Sequence, residues 1–330
     1  MYKGSEEHGV EKICRTQDHI TKVLALIKEN FPKYFNDFLA HGAKSGISEE
    51  EMRRRYELLG IEYSVDERTT DKKQSYESII EQGIDNFGRD RKNYLELFNK
   101  KSLEAHQRDA KTFKFKYFGH KCPIVNSTLL NTEEKDLDNY RRNFKKANAK
   151  EILTVASNLV DFAGDYAANV YNPVEYDSIT DYTKLFFDKL DTELYTVNGV
   201  IGGGIKSHIL HKLYPSLFPN RSRMAIWALW YLTDQKPICC RMGSEFLMID
   251  AIKSVTNQNY LYPYELFAFY AHQIYQLLKK EAENPDVNVI IDPEFRYVVV
   301  DSFLESVAFK HIAEINFFKN QIKDSDYGYE

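Results

Sequence analysis

The chain has 330 residues, 43% of them hydrophobic, and a formal net charge of −5. That is enough apolar material for a substantial core in one large or two medium domains. The acidic balance excludes a strongly basic global field, so any nucleic-acid contact must come from a local patch.

The N-terminal "MYKGSEEHGVEKICR" has no apolar segment of the signal-peptide kind. No run of about 18 apolar residues suggests a membrane-spanning helix. Cys14, Cys122, Cys239 and Cys240 include no CxxC pair, which reads as a reducing compartment and not a disulfide scaffold or zinc site. A cytoplasmic protein with no membrane contact is expected. The 23 tyrosines and 21 phenylalanines suit a core, but also a surface for stacking or for a protein partner or second copy.

In chain order, Ile20, Val23, Leu24, Ile27, Phe31, Tyr34, Phe35 and Phe38 recur at helical spacing, with Pro32 expected to split or kink the helix. Ser48 with Glu51 is a capping-box pattern that starts a second helix ending at Gly60. "YSVDERTTDKKQ" reads as a polar connection, and helical patterns resume near Tyr76 and over 90–109. "KTFKFKYF", 111–118, alternates Lys114 and Lys116 with Phe113, Phe115 and Tyr117, which predicts a half-buried strand with a basic outer face. A long helix is expected up to Tyr171 and another over 179–190.

Further on, "RMAIWALWYL" predicts a buried helix, "SEFLMID" a short strand, and the segment after Pro263 a helix. "VNVIID" and "FRYVVVD" suggest a small hairpin, and "SFLESVAFKHIAEINFFKNQI" a closing helix with a frayed tail. The expected fold is mainly α, with a small β element in the C-terminal half and a basic strand near 111–118. A boundary would divide a helical region 1–110 from a helical core 111–330, unless the whole is one domain.

Two regions depart from the acidic background. Residues 101–150 carry 12 Lys and Arg against 6 Asp and Glu, with Arg141, Arg142, Lys145 and Lys146 clustered in "YRRNFKKANAK". Such clusters neutralise phosphates and release counterions, although a solvated helix face looks the same. From Leu194 to Thr233 there is no Asp or Glu in 40 residues, while Lys206, Lys212, Arg221, Arg223, His208 and His211 fall inside the span. A carboxylate-free neighbourhood favours an anion.

The glycines at 202–204 lie within that span. A P-loop, GxxxxGK[ST], fails because Ile205 stands between Gly204 and Lys206. A dinucleotide fingerprint fails on glycine spacing and lacks the later acidic residue. "GGGIKS", Gly202 to Ser207, resembles the G-x-G-x-K-[ST] turn of helix-hairpin-helix DNA-binding proteins over about 25 residues. The resemblance implies that Gly202 and Gly204 let backbone N–H groups approach a phosphate, with Lys206 and Ser207 beside it and Lys212, Arg221 and Arg223 around it. Orphan N–H groups at a helix start favour anions on physical grounds as well. His208 departs from the family, which has a small residue there, and the upstream helix is short. "LYPSLFPNRSR" loosely resembles segments of bacterial nuclease-associated and defence proteins. Apart from any resemblance, the glycines also suit a tight turn onto a core helix. His208 and His211 share a helix face but lack a third ligand, so no metal site is expected there.

Carboxylates near the β-branched runs supply candidate catalytic residues, chiefly Asp292, Glu294 and Asp301, which would need Mg²⁺ in a nuclease or hydrolase. Strand-end and helix-cap roles explain the same residues. The leading expectation is nucleic-acid binding, with DNA favoured, without a resident cofactor. A metal-dependent nuclease and a non-catalytic scaffold are the alternatives.

Overall fold

A computed structural model describes residues 13–41, 72–132, 137–238, 244–250 and 255–325. The helix expected over 48–60, most of the polar connection after it, Cys239, Cys240 and the last five residues lie outside that set.

Among the described residues the fold is mainly α with one two-stranded sheet. Its elements are α1 (Gln17–His41), α2 (Lys72–Leu97), α3 (Lys100–Ala105), α4 (Ala110–Thr112), a π-helix (Phe113–Phe118), α5 (Pro123–Leu130), α6 (Leu137–Lys146) and α7 (Ala149–Asp165). Then come α8 (Pro173–Tyr176), α9 (Gly203–Leu213), α10 (Arg223–Leu232), β1 (Leu247–Asp250), β2 (Val255–Gln258), α11 (Tyr264–Ala282), α12 (Arg296–Lys310) and α13 (Ile312–Ser325).

The buried apolar residues form one cluster that draws on residues from Cys14 to Ile315. Its centre is α12, which packs against α10, α11, α2 and α1. With neighbours on several sides, Tyr297 to Val300, Phe303, Leu304, Val307 and Ala308 are all buried. A helix enclosed in this way is apolar nearly all round and loses its 3.6-residue signature. The expected hairpin of "VNVIID" and "FRYVVVD" is therefore corrected: a 3-10 turn, Pro293–Phe295, leads into α12.

The "RMAIWALWYL" helix is α10, with Ala225 to Leu232 buried. Ser222 caps it by accepting from the Ala225 N–H at 3.0 Å. The Trp227 indole donates to Gln258 Oε1 at 3.1 Å and so ties β2 to α10. Strand β1 pairs antiparallel with β2, Leu247 opposite Gln258 and Asp250 opposite Val255. Helix α1 runs through Pro32 without a break and buries Phe31, Phe35 and Phe38 against Phe303 and Tyr76. The helix expected over 179–190 is instead two 3-10 turns, Tyr182–Leu185 and Asp188–Asp191.

The basic strand at 111–118 is also corrected. These residues wind as a π-helix, with the Gly119 N–H bonded to the Lys114 carbonyl five residues back. Phe113, Lys114 and Phe118 face inward while Phe115 and Lys116 are exposed, so the alternation of residue types does not match the alternation of faces.

Candidate nucleic-acid interface

The glycine-rich stretch is a tight turn closed by a bridge between Val197 and Ile201. Gly199 sits at φ +70°, where an L side chain is disfavoured, and a Cβ there would run into Asn143 on α6. The element before the turn is a three-residue 3-10 helix, Glu193–Tyr195, in place of the upstream helix that the helix-hairpin-helix resemblance implies. After the turn, α9 starts at Gly203 with exposed Gly202 as its N-cap.

The basic side chains of this stretch point into the protein. Lys206 is 2% exposed, donates to the Leu190 carbonyl and lies 3.8 Å from Asp191. Burial pushes its ammonium down to about 8, with Asp191 opposing. Lys212 is equally buried and bonds to the Phe87 carbonyl at 2.8 Å and to Asp90 at 2.6 Å. Arg221 donates to the Tyr260 carbonyl at 2.8 Å and the Asn259 carbonyl at 3.4 Å. Its guanidinium fills the space beside Gly203 that a Cβ would need. Ser207 Oγ accepts from the Arg221 N–H and donates to the Gly204 carbonyl, each at 3.0 Å, so it fastens the turn to the loop before α10. Arg223, in the first turn of α10, is half-buried.

The assignment of Lys206, Ser207, Lys212 and Arg221 as phosphate contacts is therefore corrected. Their polar groups satisfy the protein's own backbone and carboxylates. Gly204 is a packing position, 3.8 Å by its Cβ direction from the Arg221 carbonyl, and Gly202 has open space before it.

The second cluster is arranged differently. Helix α6 buries Phe144 and half-buries Tyr140, and it exposes Arg142, Lys145 and Lys146. Phe144 stacks on Phe118 at 6.4 Å, which fixes α6 against the π-helix. Two carbonyls around the end of this helix, those of Lys145 and Ala147, accept from the buried Lys114 ammonium at 3.1 and 2.8 Å. A cation at a helix C-terminus satisfies orphan carbonyls and suits the dipole, although burial lowers the Lys114 pKa. Arg141 turns back to the Asn131 carbonyl and Asp138. Asn148 then caps α7, and exposed Lys150 follows. Among the described residues, Arg142, Lys145, Lys146 and Lys150 take part in no ion pair.

Sequence reasoning found these α6 cations, but it put Lys114 and Phe115 on a strand apart from them and passed over Asn143, which together seat and flank them. A usable signal was present: residues 110–132 contain no Asp or Glu and carry Lys111, Lys114, Lys116 and Lys121.

The carboxylates do not form one group. Asp292 is exposed and caps the 3-10 turn by accepting from the Glu294 N–H at 2.9 Å, and Glu294 is exposed beside it. Asp301 instead faces Asn220, whose amide donates to it at 3.0 Å, with Glu305 one turn on. Among the described residues, no group of three or more His, Cys, Asp or Glu is placed to hold a metal ion.

Burial raises the Asp301 carboxyl well above its ordinary range, and the Glu305 charge raises it further. The ionised form therefore opposes folding at neutral pH. Asp301→Asn keeps an acceptor for Asn220 and removes that charge. It should stabilise the protein at pH 8, read as a higher urea midpoint. The gain should fade as the pH falls toward 4 and the native carboxyl takes up its proton. Urea unfolding at pH 8 and pH 5 measures this, and a loss of stability at pH 8 contradicts it.

Compared with family models, with curated proteins and with solved structures, the chain finds no match.

Proposed function

We propose that the chain binds nucleic-acid backbone through the basic face of α6 and the start of α7, with DNA as the first ligand to test. The observation that carries this reading is the outward set Arg142, Lys145, Lys146 and Lys150, held on a helix whose inner side is fixed by Phe144 and whose end is capped by Lys114. Arg142 donates to Asn139, and none of the four is in an ion pair among the described residues; such an exposed cluster on a chain of net negative charge is a local attractor for phosphate. The glycine-rich turn supports the interface indirectly, because Gly199 leaves room for Asn143 of α6. A cytoplasmic setting fits the cysteine usage. The likeness of 213–223 to nuclease-associated and defence proteins is the support for a role in DNA metabolism or defence.

Fluorescence anisotropy with labelled oligonucleotides across a salt series tests the reading. Affinity should fall steeply with salt. The triple variant Arg142→Glu, Lys145→Glu, Lys146→Glu should bind at least about a hundredfold more weakly at low salt, with a log–log salt slope smaller by about 2. Binding that ignores salt, or a triple variant that binds as the parent does, refutes it. A chain that binds no nucleic acid at low salt would instead favour the protein-interaction reading.

A further inference from the structure

We propose that Phe115 is a base-stacking platform, and that the basic face takes single-stranded nucleic acid in preference to duplex. This rests on the backbone-binding reading above and adds the form of the ligand.

Phe115 is 54% exposed, whereas Phe113 and Phe118 of the same π-helix are buried. Its ring is held in place. It meets Phe144 edge-to-face at 6.2 Å and 84°, and the Lys114 ammonium lies 4.7 Å from its centroid. That ammonium is fixed in turn by the two carbonyls at the end of α6. The ring therefore stands on a rigid post beside the last turn of α6, where Lys145 and Lys146 are exposed. Exposed Lys116 follows it, and exposed Lys111 precedes it by four residues.

An aromatic face flanked by cations is the arrangement that holds single strands: the cations follow the backbone and the ring takes a base. Every base offers a π-face, so such a platform tolerates sequence. In a duplex the base faces are already stacked and unavailable to a lone ring on a helix surface. Charge alone would bind both forms, and the ring adds affinity only for the strand whose bases are free.

The test uses the full chain with a 20-nucleotide single strand and the matching duplex. The parent should prefer the single strand. Phe115→Ala should weaken single-strand binding about tenfold or more, leaving duplex binding and the thermal midpoint unchanged. Phe115→Leu, which keeps apolar bulk without a ring, should behave as the Ala variant does. Phe115→Trp should retain binding and show fluorescence quenching on the single strand, since Trp227 and Trp230 are buried. If Phe115→Ala binds the single strand as the parent does while Lys145→Glu with Lys146→Glu weakens it, the platform fails and the backbone reading stands. Equal parental affinity for duplex and single strand also overturns the platform. If the parent binds neither form, both readings fall together.

Discussion

Arg221→Glu should abolish the folded state or leave it barely populated, with no separable effect on ligand binding. The guanidinium is 5% exposed and donates to the Asn259 and Tyr260 carbonyls. Burial lowers its pKa, and the Asp191 charge works in the opposite direction. A glutamate at this place would leave the buried Asn259 carbonyl and the part-buried Tyr260 carbonyl without this donor and set a carboxylate near Asp191. Breaking a buried charged network costs about 3–5 kcal/mol, and reversing the sign costs more. A domain's whole stability is about 5–15 kcal/mol. Far-UV circular dichroism and gel filtration would show the loss. Arg142→Glu, on the exposed side of α6, should change stability by no more than about 0.5 kcal/mol. An Arg221→Glu protein that melts as the parent does, yet loses nucleic-acid affinity, would restore Arg221 to the interface.

Mild acid should unfold the chain. His211 is buried and bonded through Nδ1 to the Phe218 carbonyl at 2.9 Å. Burial pushes its imidazole down to about 3, with nearby His208, Lys212 and Arg91 adding to the fall. His272 is buried against Tyr176 and near Tyr297, and burial followed by the Arg296 charge pushes it down to about 4. Asp177 opposes that shift. Between these native values and the unfolded value near 6.5, the unfolded chain binds more protons than the folded one. Stability is therefore fully present above about pH 6.5 and drains away as the pH falls through the window. Each pKa unit is worth about 1.4 kcal/mol, so the two residues together oppose folding by several kcal/mol near pH 4. His208, which burial pushes down to about 4, adds in the same direction. Protonation of Asp301 and Glu305 acts the other way, so the histidine effect is best isolated in Asp301→Asn. A circular-dichroism titration from pH 8 to pH 3 should show cooperative loss of helix between about pH 4 and 6. His211→Asn, which can keep the bond to Phe218, should move the midpoint to lower pH. An unmoved fold at pH 3 contradicts the prediction.

The parts of the fold that were legible in the sequence are those where a local signal and burial agree. "RMAIWALWYL" has an apolar run too long for a strand and Ser222 to cap it, and it is α10. Pro263 marks the start of α11 in the same way. The "FRYVVVD" segment misled because β-branched residues also fill a helix enclosed by others, and enclosure erases the periodicity that would have marked it. "KTFKFKYF" misled because a π-helix places residues four and five apart on one side, which puts Lys114 inside and Phe115 outside.

The candidate site was legible in its residue types and not in their directions. Lys206, Lys212 and Arg221 are directed by the carbonyls of Leu190, Phe87, Asn259 and Tyr260. Every residue carries a carbonyl, so nothing in a sequence marks the ones that will meet a cation. The acid-free span suggested an anion there, but Asp191 and Asp90 reach two of those cations from outside the span.

Helix α1 packs on α10, α11 and α12, and Arg15 and His19 pair with Glu265 and Glu245. This arrangement sets a waiting time during synthesis. Arg15 and Glu265 are 250 residues apart. At about 5–20 residues per second on the ribosome, α1 emerges roughly ten to fifty seconds before its partners exist. Tyr76 of α2 follows early enough to meet Phe35 and Phe38, but through that interval Phe31 lacks its partner Phe303, and the face carrying Ile20, Val23 and Ile27 lacks α11 and α12. The nascent chain thus presents a long amphipathic helix to the chaperones around the exit tunnel, and completion of the native core waits for the last third of the polypeptide.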